Sequence, residues 1–370
     1  MKKIKLVIYA MIPVILLSLS CKNNSIRLFA SKYAEPGEEG LYIFDLNLKK
    51  GVFTLLSTTD AGPNPTYFCI SHKNGLIYTG NEVKNFNSAE GGGVTALKYD
   101  VKTGEIEKVK EIAVPSGGPG FIALSHNEDF LFLTSYSGGY AAVIKLDEKG
   151  IPVSVTDTLF YHGDEGTVSH AHMMISDPSG NRVYMADLGL DQFLIYNLDP
   201  VSGRLLQINN GKFSLPKGSG PRHFVFNSTG TKLYVINELN STVTVIDVNE
   251  KGELNSLQTL TTLSDGFVGK NACADIHIGK NDKYLYGTNR GENTIITYKI
   301  GPDGLLTLAG STSCEGVWPR NFVIDPSGEY LLVGNERSGD ISIFSIDKKT
   351  GLPVATGKNF KIVRPACLKF

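Results

Sequence analysis

The chain has 370 residues, a formal net charge of −1, 20% charged residues and 40 glycines. No basic excess points to nucleic acid as a partner, and the balance is that of a globular protein rich in turn formers. The length allows one large all-β domain or two medium ones.

Residues 1–20 read as a leader. Lys2, Lys3 and Lys5 precede an apolar run from Leu6 to Leu19, broken by Pro13, and Ser18-Leu19-Ser20-Cys21 follows. A basic segment, a short apolar segment and small residues before a cysteine describe a secretory signal, with Cys21 as a lipid anchor at the first mature position. The apolar run is short for a membrane-spanning helix. Residues 21–25 are the expected tether. The expected location is the cell envelope, periplasm-facing, with the membrane met only through the lipid. Cys69, Cys273, Cys314 and Cys367 show no C-x-x-C or zinc-type spacing. Cys69 and Cys367 sit in apolar strand patterns, where a thiol packs, so no obligatory disulfide is expected.

From residue 26 onward the sequence repeats. A strand-end pattern of the type L-Y-x-x-N recurs at positions 29, 78, 132, 184, 234, 286 and 332, at spacings of 46 to 54 residues. Thirteen residues upstream of the last six copies stand Pro65, Pro119, Ala171, Pro221, Cys273 and Pro319, each opening a short apolar strand. Turn signals such as Asp177-Pro178-Ser179-Gly180 join the two strands. Outer strands follow, for example Thr242 to Ile246 and Ile341 to Ile346. Four short strands per unit in seven units, with no amphipathic helix, predict an all-β, seven-bladed β-propeller over residues 26–370. Pro365 to Phe370 opens a strand with no second strand after it, and Ile26 to Ser31 is a second strand with no opener before it. The C-terminal strand is therefore expected to complete the N-terminal blade and close the ring, removing the free edge.

The constant spacing allows equivalent positions to be compared. The residue after each opener is Thr66, Gly120, His172, Arg222, Ala274 or Arg320. Sixteen residues further on stand Glu82, Tyr136, Leu188, Glu238, Arg290 and Glu336. The first strand of each propeller blade lines the central channel, so both registers converge on one mouth. His172, Arg222, Arg320, Glu82, Glu238, Arg290 and Glu336 are the predicted rim of a functional site. A third register holds Asn81, Ser135, Asp187, Asn237, Asn289 and Asn335. Such residues at strand ends bind the following turn; they can also contact substrate or supply oxygens to a metal. His170 shares a face with His172 by strand alternation. His170, Asn237 and Asn289 join Arg320, Glu336 and Glu82 as expected substrate contacts.

The residues carry a family resemblance. Asn64-Pro65-Thr66-Tyr67, His170-Ala171-His172, Gly218-Ser219-Gly220-Pro221-Arg222-His223, Asn237-Glu238-Leu239, Ala274-Asp275-Ile276-His277, Asn289-Arg290-Gly291 and Trp318-Pro319-Arg320-Asn321 carry it. They resemble the seven-bladed propeller lactonases, the group of bacterial 6-phosphogluconolactonase and fungal carboxymuconate-lactonising enzyme. The resemblance spans residues 26–370. It implies a site of one His, two Arg and one Glu, which fall on His172, Arg222, Arg290 and Glu238, and a hydrolase of a small sugar lactone, 6-phosphogluconolactone or a related aldonolactone; a monomer is expected.

Opening a lactone needs an activated water and donors where the oxyanion develops. His172 is the expected base, Glu238 the residue that holds the arginines, and Arg222 and Arg290 the oxyanion donors. Arg320 is the expected phosphate or carboxylate clamp. No Gly-x-Ser-x-Gly elbow suggests a serine nucleophile. No cofactor and no metal are expected. Two other readings stay open: a divalent-metal-dependent lactonase using Glu and Asn oxygens, and an exported propeller that binds a ligand or protein without catalysis.

Overall fold

A computed structural model describes residues 25–370 apart from Val101 and Glu165. The leader, Cys21 and all but the last residue of the tether lie outside the described residues. Within them, no helix is long and apolar enough to cross a membrane. The described residues form seven antiparallel four-stranded sheets and one small two-stranded ribbon.

Each sheet is a blade. Six are consecutive in sequence, beginning at Pro65, Phe121, Ala171, Pro221, Ala272 and Pro319. The seventh is composite, with Ile26–Lys32, Leu41–Asn47 and Val52–Thr59 completed by Pro365–Lys369. Phe29 pairs with Lys369, Ala30 with Leu368 and Ser31 with Cys367. The ring closure expected from the split repeat is present. The first strands of the seven blades contact one another in cyclic order around the axis.

The L-Y-x-x-N pattern has a physical cause at both ends. Its leucine and tyrosine pack between blades, and the tyrosine hydroxyl crosses to the next blade. Tyr78, Tyr184, Tyr234 and Tyr286 donate to the carbonyls of Gly150, Gly252, Gly304 and Gly351. Each of those glycines sits in an outer hairpin turn at φ between 75° and 82°, where a side chain is strained. Where phenylalanine replaces the tyrosine, another hydroxyl of the same blade takes over. Ser57 binds Gly104 in place of a tyrosine at Phe29, and Thr156 binds Gly203 in place of one at Phe132. Each such hydrogen bond contributes about 1 kcal/mol net and fixes the angle between blades.

The terminal Asn of the pattern is fully buried in every blade that has it. Asn237 donates to Thr242 and Thr244, Asn289 to the Thr262 carbonyl, and Asn335 to Asp340 and Ser342. These residues tie the second strand to neighbouring turns and strands.

Candidate functional site

The site begins with a repeated defect in the inner strands. Pro65, Ala171, Pro221, Cys273 and Pro319 pair with Asn81, Asp187, Asn237, Asn289 and Asn335, and the ladder then slips before the next pair. The residue left over in each bulge is Thr66, His172, Arg222, Ala274 (with Asp275) or Arg320. A bulge adds a residue without a cross-strand partner and re-aims its side chain. The register predicted by counting is thus the bulged residue.

His172, Arg222 and Arg320 line one cavity of about 180 Å³ at the ring mouth, together with Glu82, Glu238 and Arg290 from the other register. Glu238 Oε2 bridges two guanidiniums, 2.9 Å from Arg222 Nε and 2.7 Å from Arg290 Nη2. The Arg222 contact is an ion pair off the N–H axis rather than an aligned hydrogen bond. The backbone holds the far sides of both arginines. Arg222 Nη1 donates to the Ala274 carbonyl, and Arg290 donates to Ala272 and Cys273. Burial, then Arg290, brings the Arg222 guanidinium down to about 10, with Glu238 opposing the shift. Arg290 also lies 5.5 Å from the Trp318 ring centroid. Trp318 has φ 68°, costly for a bulky side chain, and its N–H is held by Asn293.

His172 stands beside this triad. Its Nδ1 is buried with no hydrogen-bond partner among the described residues. Burial first, and then the Arg222 charge, hold its pKa well below the usual imidazole range. It is neutral at neutral pH. Its ring meets that of His223 edge-on at 5.1 Å.

Arg320 occupies the opposite wall, over the Tyr33 ring at 5.5 Å. Its Nη2 is 4.0 Å from Glu82 and its Nη1 is 4.0 Å from Glu336. Burial works against its charge, but Tyr33, Glu82 and Glu336 outweigh that and hold it above its ordinary value.

Four expected contacts stand elsewhere. Asn237 and Asn289 do not line the cavity, because their amides are spent inside the blades. His170 does not line it either: its ring stacks on Tyr136 at 4.1 Å and its Nδ1 meets the Tyr136 carbonyl. Glu336 lies behind Arg320 instead of in the lining. Exposed His162 lines a separate surface groove with Lys212 and Lys217.

Several residues enter that the predicted rim and its expected contacts did not include. Tyr33 and Tyr136 line the cavity. Both occupy the Glu238 register, Tyr33 standing four residues after position 29 just as Glu238 follows 234. Below the cavity Tyr67, Phe121 and His223 form an aromatic floor, with centroids 4.6 to 5.8 Å apart. His223 Nδ1 meets buried Asp275 Oδ1 at 2.7 Å, and Asp275 also binds His277 and Asn321. Burial, then Arg222, pushes His223 down to about 4. A neutral His223 donates from Nδ1 to Asp275, so Nε2 is an acceptor, and Arg222 Nη1 lies 3.4 Å from it. The four described cysteines are free, and burial raises each thiol.

The whole propeller has close relatives in sequence and shape. The family described as Lactonase, 7-bladed beta-propeller matches residues 27–370. A 6-phosphogluconolactonase of Bacillus subtilis is 28% identical over 349 residues, covering 92% of this chain and 97% of that protein. A 6-phosphogluconolactonase of Formosa agariphila is 32% identical over 332 residues, 86% of this chain and 91% of that one. The solved structure of a periplasmic gluconolactonase from Pseudomonas aeruginosa superposes with a TM-score of 0.86 at 26% identity, covering 93% of this chain and 98% of that one. The chain belongs to the seven-bladed β-propeller lactonase family.

Proposed function

We propose that this lactone-hydrolysing enzyme opens an aldonolactone ring in the cavity at the ring mouth. The observation that carries the reading is Glu238 clamped between Arg222 and Arg290 beside a neutral, buried His172. Arg222 and Arg290 are fixed before substrate arrives, which is the requirement for stabilising an oxyanion without reorganisation.

In the proposed step His172 takes a proton from water as the water oxygen attacks the lactone carbonyl. The carbonyl electron pair moves onto oxygen, which is met by the N–H groups of the two arginines that Glu238 leaves free. Collapse of the tetrahedral species breaks the ring C–O bond, and the departing alkoxide recovers the proton from the imidazolium. The product is a hydroxy acid, which ionises. A cationic His172 beside three arginines is unfavourable alone. It forms together with the oxyanion, so the net charge of the site is unchanged. Glu238 serves as the fixed counter-charge of both arginines, which leaves its Oε2 poorly placed to accept a proton.

Ring opening releases acid and is followed by pH-stat titration of D-glucono-δ-lactone against the uncatalysed rate. Wild type should exceed that rate, and His172→Gln should lose about 10²–10⁴-fold, the usual worth of a general base. Wild-type rates in His172→Gln, with Glu238→Gln inactive, would transfer the base role to Glu238.

We also propose that the chain is exported and anchored through a lipid on Cys21. The leader pattern supports both, and likeness to a periplasmic relative supports export. Cys21→Ala should move the protein from the detergent phase to the aqueous phase of a Triton X-114 partition. An unchanged partition would remove the anchor.

A further inference from the structure

Resting on the lactonase reading, we infer that the cavity takes an uncharged polyhydroxy lactone and discriminates against a phosphorylated one. The basis is electrostatic and lies around Arg320, the residue that sequence alone offers as a phosphate clamp.

A phosphate dianion is held by a guanidinium whose two arms are free to bind it in parallel. Both arms of Arg320 lie 4.0 Å from carboxylates, Nη2 from Glu82 and Nη1 from Glu336, beyond hydrogen-bond reach but close enough to offset its charge. These carboxylates are fixed by other groups. Glu82 Oε2 accepts from Thr66 Oγ1 at 2.6 Å, and the Glu82 backbone N–H is held by the Asn64 carbonyl. The chain packs so closely there that a Cβ on Gly118 would come within 2.3 Å of Glu82 Cα. Glu336 Oε1 lies 3.9 Å from Arg364, and its N–H is held by the Trp318 carbonyl.

The other two arginines do not offer the excess charge either, since the Glu238 carboxylate sits against both and three backbone carbonyls accept from their N–H groups. The lining sets Arg222, Arg290 and Arg320 against Glu82 and Glu238, and Glu336 behind Arg320 offsets the third arginine. Arg364 adds a positive charge at the rim, but its side chain is 56% exposed and water screens it. Beneath the floor, Lys369 is matched by buried Asp275. His172 and His223 contribute no charge at neutral pH. A dianion would enter a site with no net positive charge to receive it, facing Glu82 at close range. A polyol suits the same wall, because carboxylates accept hydroxyl hydrogens and guanidiniums donate to hydroxyl oxygens.

The test compares kcat/KM for D-glucono-δ-lactone and its 6-phosphate in wild type and in Glu82→Gln, with circular dichroism confirming that the variant folds. Wild type should prefer the unphosphorylated lactone. Glu82→Gln should shift the ratio towards the phosphorylated one by on the order of ten-fold, the effect of one charge at a partly solvated site. Glu336→Gln should shift it the same way. A wild-type preference of ten-fold or more for the phosphorylated lactone would overturn the inference and leave the lactonase reading standing. Failure to open either lactone would remove the lactonase reading, and this inference with it.

Discussion

Arg290→Ala and Arg222→Ala should each lower kcat/KM for lactone opening by about 10²–10³-fold while the propeller stays folded. Both side chains are almost fully buried, so their removal has a structural cost as well. Arg290→Ala leaves the Ala272 and Cys273 carbonyls without their side-chain donor, and Arg222→Ala does the same to Ala274. Each unsatisfied buried group costs roughly 1–3 kcal/mol. That is a fraction of the roughly 5–15 kcal/mol that holds a typical domain. Thermal melting should therefore fall by several degrees, with the loss of turnover far out of proportion. Glu238→Gln separates charge from fold. It keeps the shape but leaves two guanidiniums 2.7 to 2.9 Å from a neutral amide instead of a carboxylate. They should repel and drift, and activity should fall with both arginines still present. Wild-type kcat/KM in both arginine variants would remove the cavity as the site.

A chain ending at Arg364 should not accumulate as soluble, folded protein. The lost segment supplies the inner strand of the composite blade. Cys367 and Leu368 are buried, and the Leu368 N–H donates to Asn321. Full burial of one large apolar side chain is worth about 1.5–3 kcal/mol. The ladder to Ile26–Lys32 is lost with it, and Ile26–Lys32 becomes an open edge that invites aggregation. Opening the ring also removes Lys369 from the Tyr67 ring and loosens the floor of the cavity. The measurement is soluble yield and the melting temperature by circular dichroism. A truncated chain melting within a few degrees of the full one would mean that the closure contributes little.

The architecture was legible because a propeller repeats. The thirteen-residue offset between inner-strand opener and tyrosine is set by one strand, one turn and half of the next strand, which each blade must reuse. The split repeat likewise announced the closure. The charged rim was legible for the same reason: among the described residues the bulge falls at the same place in six blades, the composite one included, so counting found His172, Arg222 and Arg320 without knowing that a bulge was there.

Part of what was not legible depended on that bulge. Alternation puts adjacent strand residues on opposite faces, which would set His223 away from Arg222. The extra residue cancels the alternation, and the two side chains lie 3.4 Å apart. The dyad of His223 and Asp275 was hidden for this reason. Tyr33 escaped because its inner-strand opener lies at the other end of the chain, so it had no register partner beside it in sequence. Alternation also set His170 alongside His172, but His170 precedes the strand and its ring is taken up by Tyr136. For Arg320, residue type suggested an anion clamp. Only the positions of Glu82 and Glu336 show that its charge is already answered.

The most direct measurement is the pH dependence of D-glucono-δ-lactone opening by wild type and His172→Gln, each corrected for the uncatalysed rate. His172 must be neutral to accept a proton, and burial holds its pKa well below 6.5. As pH falls, the wild-type rate should therefore persist through about pH 6.5, the ordinary imidazole midpoint, and decline only well below it. His172→Gln should stay near the uncatalysed rate at every pH. A wild-type profile with its midpoint at about 6.5, or a His172→Gln profile that matches wild type, would contradict a buried, neutral His172 acting as the base.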